Sequence, residues 1–185
     1  MLEVEVKYRV SDFCPIEERL RKWGARSIED RDDNDDYFNA PHRDFAQSDE
    51  ALRIRRIGSH NAITYKGPRT DKHTKTRVEI EVPIASGDEA AHDLARLLSS
   101  LGFRSTASVR KHRSVYEFSR DGFTVQACLD RVEEVGTYVE LEIMAEDSRF
   151  EPARDVVLKC AAELGLSTME RRSYLELLLE ARKSA

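Results

Sequence analysis

Cysteine is scarce in this sequence and cannot be paired off. Cys14, Cys128 and Cys160 are odd in number, far apart and without a C-x-x-C, which excludes a disulfide framework and a zinc knuckle. No apolar run approaches the roughly 20 residues of a membrane-spanning helix. Basic excess is missing too: Lys and Arg number 30 against 35 Asp and Glu, a formal charge of −5, which a generic nucleic-acid binder would not carry. There is no G-x-x-x-x-G-K-[ST], so a P-loop is excluded, and no G-x-S-x-G elbow or Cys/His pairing to supply an acyl-transfer nucleophile. His42, His60, His73, His92 and His112 lack metal-ligand spacing. The opening Met1-Leu2-Glu3-Val4-Glu5 has neither the cationic nor the apolar segment of a signal peptide. The expectation is a cytoplasmic protein with no membrane and no nucleic-acid partner.

What the sequence does hold is charge: 35% of its 185 residues, against the ~25% of an ordinary globular domain. Hydrophobic residues still make up 40%, enough for a sizeable core. No Gly-, Ser- or Pro-rich linker divides the chain, so one domain spanning residues 1–185 is expected.

Apolar and charged residues alternate from Leu2 to Val10, with Val4, Val6, Tyr8 and Val10 against Glu3, Glu5, Lys7 and Arg9. Period two predicts a strand. Further strands are expected over Ala51–Ile57, Ala62–Lys66, Arg77–Ile84, Val109–Phe118, Phe123–Arg131 and Thr137–Ala145. Helical spacing places helices after Asp12, over Asp88–Leu101, over Pro152–Leu164 and over Leu175–Ala181. The acidic stretch Asp30–Asp36 opens like an EF-hand loop, but Asp35 stands where Gly is required and Pro41 where the closing Glu belongs. It reads as a solvated acidic turn. The loop Arg69–Lys75 is read as wet, with a mobile basic lip as the alternative.

Residues two apart on a strand share a face. By that parity Glu3, Glu5, Lys7 and Arg9 fall together, as do Arg53 and Arg55, Arg77, Glu79 and Glu81, Lys111 and Arg113, and Glu140 and Glu142, with Lys66 and Asp130 on neighbouring strands. The opposite faces are apolar. A wet outer face would account for any single strand. For the set, Glu-x-Glu repeated at Glu3/Glu5, Glu79/Glu81 and Glu140/Glu142 is a poor design for an idle surface, because like charges repel. If the sheet curls into a closed barrel, helices cover its apolar outside, edges vanish and the ionic faces line a channel. Buried charge needs partners or bound ions. Clustered carboxylates facing clustered Arg and Lys suit a polyanion with divalent cations such as Mg²⁺ or Mn²⁺. Cys128, at channel parity, is a small filler.

The run Glu3-Val4-Glu5-Val6-Lys7 resembles the E-x-E-x-K signature of the CYTH superfamily, the triphosphate tunnel metalloenzymes. The family's L-R-x-R (Leu52–Arg55), K-G-P (Lys66–Pro68), R-x-E-x-E (Arg77–Glu81), K-x-R (Lys111–Arg113), single Asp (Asp130) and late E-x-E (Glu140–Glu142) follow in order. Within the family, Lys111-His112-Arg113-Ser114-Val115-Tyr116 and Arg172-Ser173-Tyr174-Leu175 are most similar to the class IV adenylyl cyclase group. The resemblance implies an α+β fold: an eight-stranded antiparallel β-barrel, the triphosphate tunnel, with flanking helices. It implies Mg²⁺ or Mn²⁺ on Glu3, Glu5, Glu140 and Glu142, with Glu79 and Glu81 as secondary acids. Lys7, Arg53, Arg55, Lys66, Lys111 and Arg113 would hold a triphosphate; Arg77 would either join them or pair with a glutamate. Glu5, Lys7, Glu140 and Asp130 would be catalytic. Tyr37 and Tyr174 either touch a base or ring at the tunnel mouth or simply pack. The implied activity is conversion of ATP to cyclic AMP and pyrophosphate. The alternatives are an inorganic, thiamine or nucleoside triphosphatase and a polyphosphate-binding module without turnover. A homodimer is expected if the helices leave part of the apolar outside uncovered.

Overall fold

A computed structural model of the chain describes residues 2–69 and 77–184. Of the loop Arg69–Lys75, read as wet, only Arg69 lies within them, and the rest falls outside the described residues. The elements run β1 (Leu2–Arg9), α1 (Cys14–Lys22), β2 (Arg26–Asn39), α2 (Phe45–Ser48), β3 (Ala51–Ile57), β4 (His60–Lys66), β5 (Glu79–Ile84), α3 (Asp88–Ser100), β6 (Arg104–Arg120), β7 (Phe123–Val132), β8 (Gly136–Ala145), a 3₁₀ turn (Asp147–Arg149), α4 (Phe150–Glu163) and α5 (Tyr174–Lys183). The strands form one antiparallel sheet in the order β1-β8-β7-β6-β2-β3-β4-β5, curled so that its ionic face is concave. The expected fold class is therefore found: eight antiparallel strands with flanking helices. No described helix is long and apolar enough to cross a membrane.

Hydrophobic parity drives the curl. Val4 and Val6 on β1, Val125, Ala127 and Leu129 on β7, and Val139, Leu141 and Ile143 on β8 face outward. They pack under Ile16 and Leu20 of α1 and Val157 and Cys160 of α4. A second outer cluster joins Phe38, Leu52 and Ile54 to Ala91 and Leu98 of α3. Fully burying one such aliphatic side chain contributes about 1.5–3 kcal/mol, so these two clusters fix which face is concave. Between β6 and β7 the chain reverses through Asp121 and Gly122, both at positive φ (47° and 77°), the conformation a two-residue hairpin turn requires.

Three expectations need correction. First, Asp30–Asp36 is no solvated turn. It lies inside β2, a 14-residue strand paired to β3 on one side and β6 on the other. Asp33 and Asp35 point into the concavity and are almost fully buried. The strand was invisible as a hydrophobic alternation because both of its faces are charged here. Second, the curl does not close through the backbone: among the described residues β1 and β5 remain the two ends of the ladder. Glu3 and Glu79 face each other electrostatically across that seam. Third, the helices do not all cover the outside. Tyr37, Val109, Val132 and Tyr138 have channel parity, and Tyr174, Leu177 and Leu178 of α5 pack on them. At this end the inner face is apolar, so burial draws α5 onto the concave side.

Candidate functional site

The β1–β8 register sets the first wall of the site. Glu5 lies opposite Glu142, Lys7 opposite Glu140 and Glu3 opposite Met144. Like charges placed directly across a ladder repel, and here the repulsion is concentrated: carboxylate oxygens of Glu3, Glu5 and Glu142 lie within 4.8 Å of one another. Burial first, and then the neighbouring Glu142, hold the Glu3 carboxyl well above the ordinary carboxylate range. Glu142 is likewise raised, chiefly by burial and only partly relieved by Arg113.

Opposite stands a wall of cations from β3, β4, β6 and the segment just before β5. Arg53, Arg55, Lys66, Arg77, Lys111 and Arg113 line a cavity of about 390 Å³ together with Glu3, Glu5, Lys7, Glu79, Glu81, Glu140 and Glu142. The structure thus brings together every residue singled out in the sequence as a site except Asp130. Glu79 pairs with Lys66; its burial is outweighed by that ammonium, and its carboxyl is lowered. Glu81 accepts a hydrogen bond from Thr64 Oγ1 at 2.9 Å. Glu140 stands apart from the glutamate trio, in an ion pair with Arg113 and 3.9 Å from Lys7 Nζ.

Asp130 does not line the cavity. Fully buried behind it, the carboxylate accepts from Arg113 Nε (2.7 Å) and Nη2 (2.6 Å), Lys111 Nζ (3.2 Å) and Tyr174 Oη (2.8 Å). Burial alone would raise this acid, but Lys111 and Arg113 outweigh it and hold it low. With its lone pairs occupied in this way, Asp130 holds the two cations from behind the cavity wall.

Asp33 and Asp35, missed in the sequence, do for β3 and β6 what Asp130 does for β6. Asp35 accepts both Arg55 Nε (2.7 Å) and Nη2 (2.6 Å), with Arg53 Nη1 at 3.1 Å. Its burial is overcome by Arg53 and Arg55, and its pKa is depressed. Asp33 accepts from Arg31 Nε (2.8 Å) and lies 3.6 Å from Lys111 Nζ and 3.7 Å from Arg55 Nη2. Arg31 also lines the cavity. The one signal that could have found them is the spacing Arg31, Asp33, Asp35, Tyr37 at period two. Tyr37 and Tyr174 border the cavity, and their rings belong to the α5 cluster.

A half-buried trio of carboxylates facing an array of Arg and Lys is the arrangement the signature residues implied, and aspartates beneath Arg53, Arg55 and Arg113 complete it. A family model described as the CYTH domain matches residues 1–174. The chain belongs to the CYTH domain family. A candidate adenylate cyclase of Methanocaldococcus jannaschii is 36% identical over 182 residues, covering 96% of this chain and 98% of its own. Adenylate cyclase CyaB of Aeromonas hydrophila is 33% identical over 178 residues, covering 93% and 86%. Among solved structures, the PH1819 protein of Pyrococcus horikoshii superimposes on this CYTH fold with a TM-score of 0.82 and 39% identity, covering 96% and 98%.

Proposed function

We propose that the chain, as a single domain, is a divalent-metal-dependent enzyme acting on a triphosphate, and that its reaction is conversion of ATP to cyclic AMP and pyrophosphate. One observation carries the reading: a single cavity holds three carboxylates within 4.8 Å opposite Arg53, Arg55, Lys111 and Arg113. The names of the relatives, a candidate adenylate cyclase at 36% identity and adenylate cyclase CyaB at 33%, direct it toward the cyclase.

The donor set fits a hard cation. All three groups are oxygen ligands, and burial penalises the ionised forms of Glu3 and Glu142 unless a positive charge arrives. Glu3, Glu5 and Glu142 would hold Mg²⁺ or Mn²⁺, with Glu140 at the margin of the site. When bound, the metal supplies charge neutralisation and a more acidic attacking oxygen. The other work is done by the chain. Lys7, Arg53, Arg55, Lys66, Arg77, Lys111 and Arg113 hold the phosphate oxygens, the guanidinium forks in bidentate fashion. Those nearest the scissile bond offset charge developing on the bridging oxygen as pyrophosphate leaves. In the cyclase reaction the 3′-hydroxyl of ATP attacks the α-phosphorus, the bond from that phosphorus to the bridging oxygen breaks, and the hydroxyl proton is released.

A second reading, hydrolysis of a triphosphate with release of phosphate, is favoured by one feature. Tyr37 and Tyr174 are committed to the α5 cluster, so neither is free to stack on a base, and the rest of the described cavity wall is almost entirely charged. The test is incubation of the protein with ATP, thiamine triphosphate or tripolyphosphate plus Mg²⁺ or Mn²⁺, followed by product separation. Cyclic AMP with pyrophosphate supports the cyclase, and orthophosphate the hydrolase. Intact substrate that nevertheless binds would reduce the chain to a polyphosphate-binding module.

A further inference from the structure

The segment that leads into α5 is tied to the floor of the cavity at several points. Backbone N–H of Glu170 donates to Lys7 O at 2.7 Å, and Lys7 Nζ returns a bond to Arg172 O at 2.6 Å. Arg69 Nη1 holds Arg171 O at 2.8 Å. Ser173 and Glu176 then form a reciprocal capping box, which fixes the first turn of α5 and places Tyr174 at its first position. From there the ring lies 3.9 Å from Lys7 Nζ and 5.3 Å from Lys111 Nζ, measured to its centroid. Its hydroxyl donates to Asp130, the acid beneath Lys111 and Arg113. The phenol stays protonated and able to donate, since burial and then Glu140 push its pKa well up.

One side chain therefore touches cations from β1 and β6 and, through Asp130, a third. Leu177 and Leu178 of the same helix pack within the apolar cluster. A ring that served packing alone would have no need of a hydroxyl aimed at a saturated, buried carboxylate.

We propose that Tyr174 is a positioning residue: its ring fixes the Lys7 ammonium and its hydroxyl fixes Asp130, so that the docked α5 sets the geometry of the phosphate-holding cations. The proposal rests on the triphosphate reading of the cavity. A cation–ring contact and a charge-assisted hydrogen bond in a desolvated site each amount to roughly a tenfold effect. Tyr174→Phe, which keeps the ring, is expected to weaken binding about tenfold, and Tyr174→Leu, which loses both contacts, about 100-fold.

The decisive measurement is a double-mutant cycle on the full chain. Tripolyphosphate affinity is read by calorimetry, and metal-dependent turnover is read in parallel, for wild type, Lys7→Met, Tyr174→Leu and the double variant. Coupling is expected: the double variant loses markedly less affinity than the product of the two single losses. Tyr174→Phe, with the least disturbance to packing, should show its affinity loss in a protein that circular dichroism reports as folded. Leu178→Ala, which removes only apolar contact, should lower the melting temperature and keep affinity within about twofold. Additive losses in the cycle, or a Leu178→Ala affinity loss equal to that of Tyr174→Leu, overturn the proposal. Wild-type protein that binds tripolyphosphate without turning it over overturns the enzymatic reading alone, and the cycle is still decided on affinity. Wild-type protein that does neither overturns both.

Discussion

Two sets of carboxylates share one concavity and behave oppositely. Glu3 and Glu142, crowded with Glu5 at the cavity surface, are held above the ordinary carboxylate range. Asp35 and Asp130, buried more deeply still but threaded by Arg53, Arg55, Lys111 and Arg113, are held below it. Burial pushes both sets the same way, so the difference lies in the neighbours. An acid enclosed by guanidinium forks is neutralised within the fold and serves the architecture. Acids gathered mainly against each other store repulsion that a divalent cation relieves. The lesson is that a count of charges in a cavity says little until each carboxylate is assigned its counter-ion.

The largest effect expected from this contrast concerns the crowded set. Glu5→Gln or Glu142→Gln should cut metal-dependent turnover at least about 100-fold while the protein stays folded, as circular dichroism and product assays would report. Near-normal rates in either would undo the metal assignment for that residue. The enclosed set should fail differently. Asp35→Asn leaves Arg53 and Arg55 buried without their shared counter-charge and is expected to cost about 3–5 kcal/mol in urea unfolding. Glu3→Gln, which removes one of the crowded acids, should leave stability unchanged or raise it. A stability loss from Glu3→Gln as large as that from Asp35→Asn would erase the distinction.

Divalent cation should separate the sets again. At about 100 times its Kd, Mg²⁺ or Mn²⁺ should stabilise the wild type by about 2.7 kcal/mol in thermal unfolding. The gain should be largely lost in Glu142→Gln and kept in Asp35→Asn. Acid titration tests the enclosed set alone. With pKa values depressed in the folded protein, Asp35 and Asp130 contribute stability that is complete above their unfolded pKa near 4. That contribution should drain away as pH falls from about 4 through the folded values, and the loss should be shallower in Asp35→Asn. The smallest effect belongs to the outer face of the same strand. His112 meets Asp30 at 3.0 Å and Asp32 at 2.9 Å in an exposed cluster. There His112→Gln should change stability by less than about 1 kcal/mol.

Legibility followed the same physics. β1, β5, β7 and β8 were readable because one face is apolar and packs outward or lies open, so period two stood out in Val4, Val6, Ile80, Val82, Leu129 and Leu141. Their charged partners were readable with them, which is why the cavity residues Glu3, Glu5, Glu79, Glu81, Glu140 and Glu142 were found. β2 was not readable. From Asp30 to Asp36 both faces are polar, the inner one satisfied by Arg31, Arg53 and Arg55 and the outer one by Ser108, His112 and Ser114. A strand whose side chains are matched by partners far away in sequence leaves no local signature. Asp130 was visible as a residue, but its exclusion from the cavity was not, because that depends on three elements converging on one carboxylate.

The local order of this chain was decided by sequence alone: where apolar and charged residues alternate, backbone geometry sends them to opposite faces whatever the rest of the molecule does. Which way each ionic face would look, which acids would find cations, and that α5 would enter the concave side were decided only by tertiary structure. Those outcomes depend on distances between strands and helices remote in sequence, and Coulomb energy in a buried space changes severalfold with such distances.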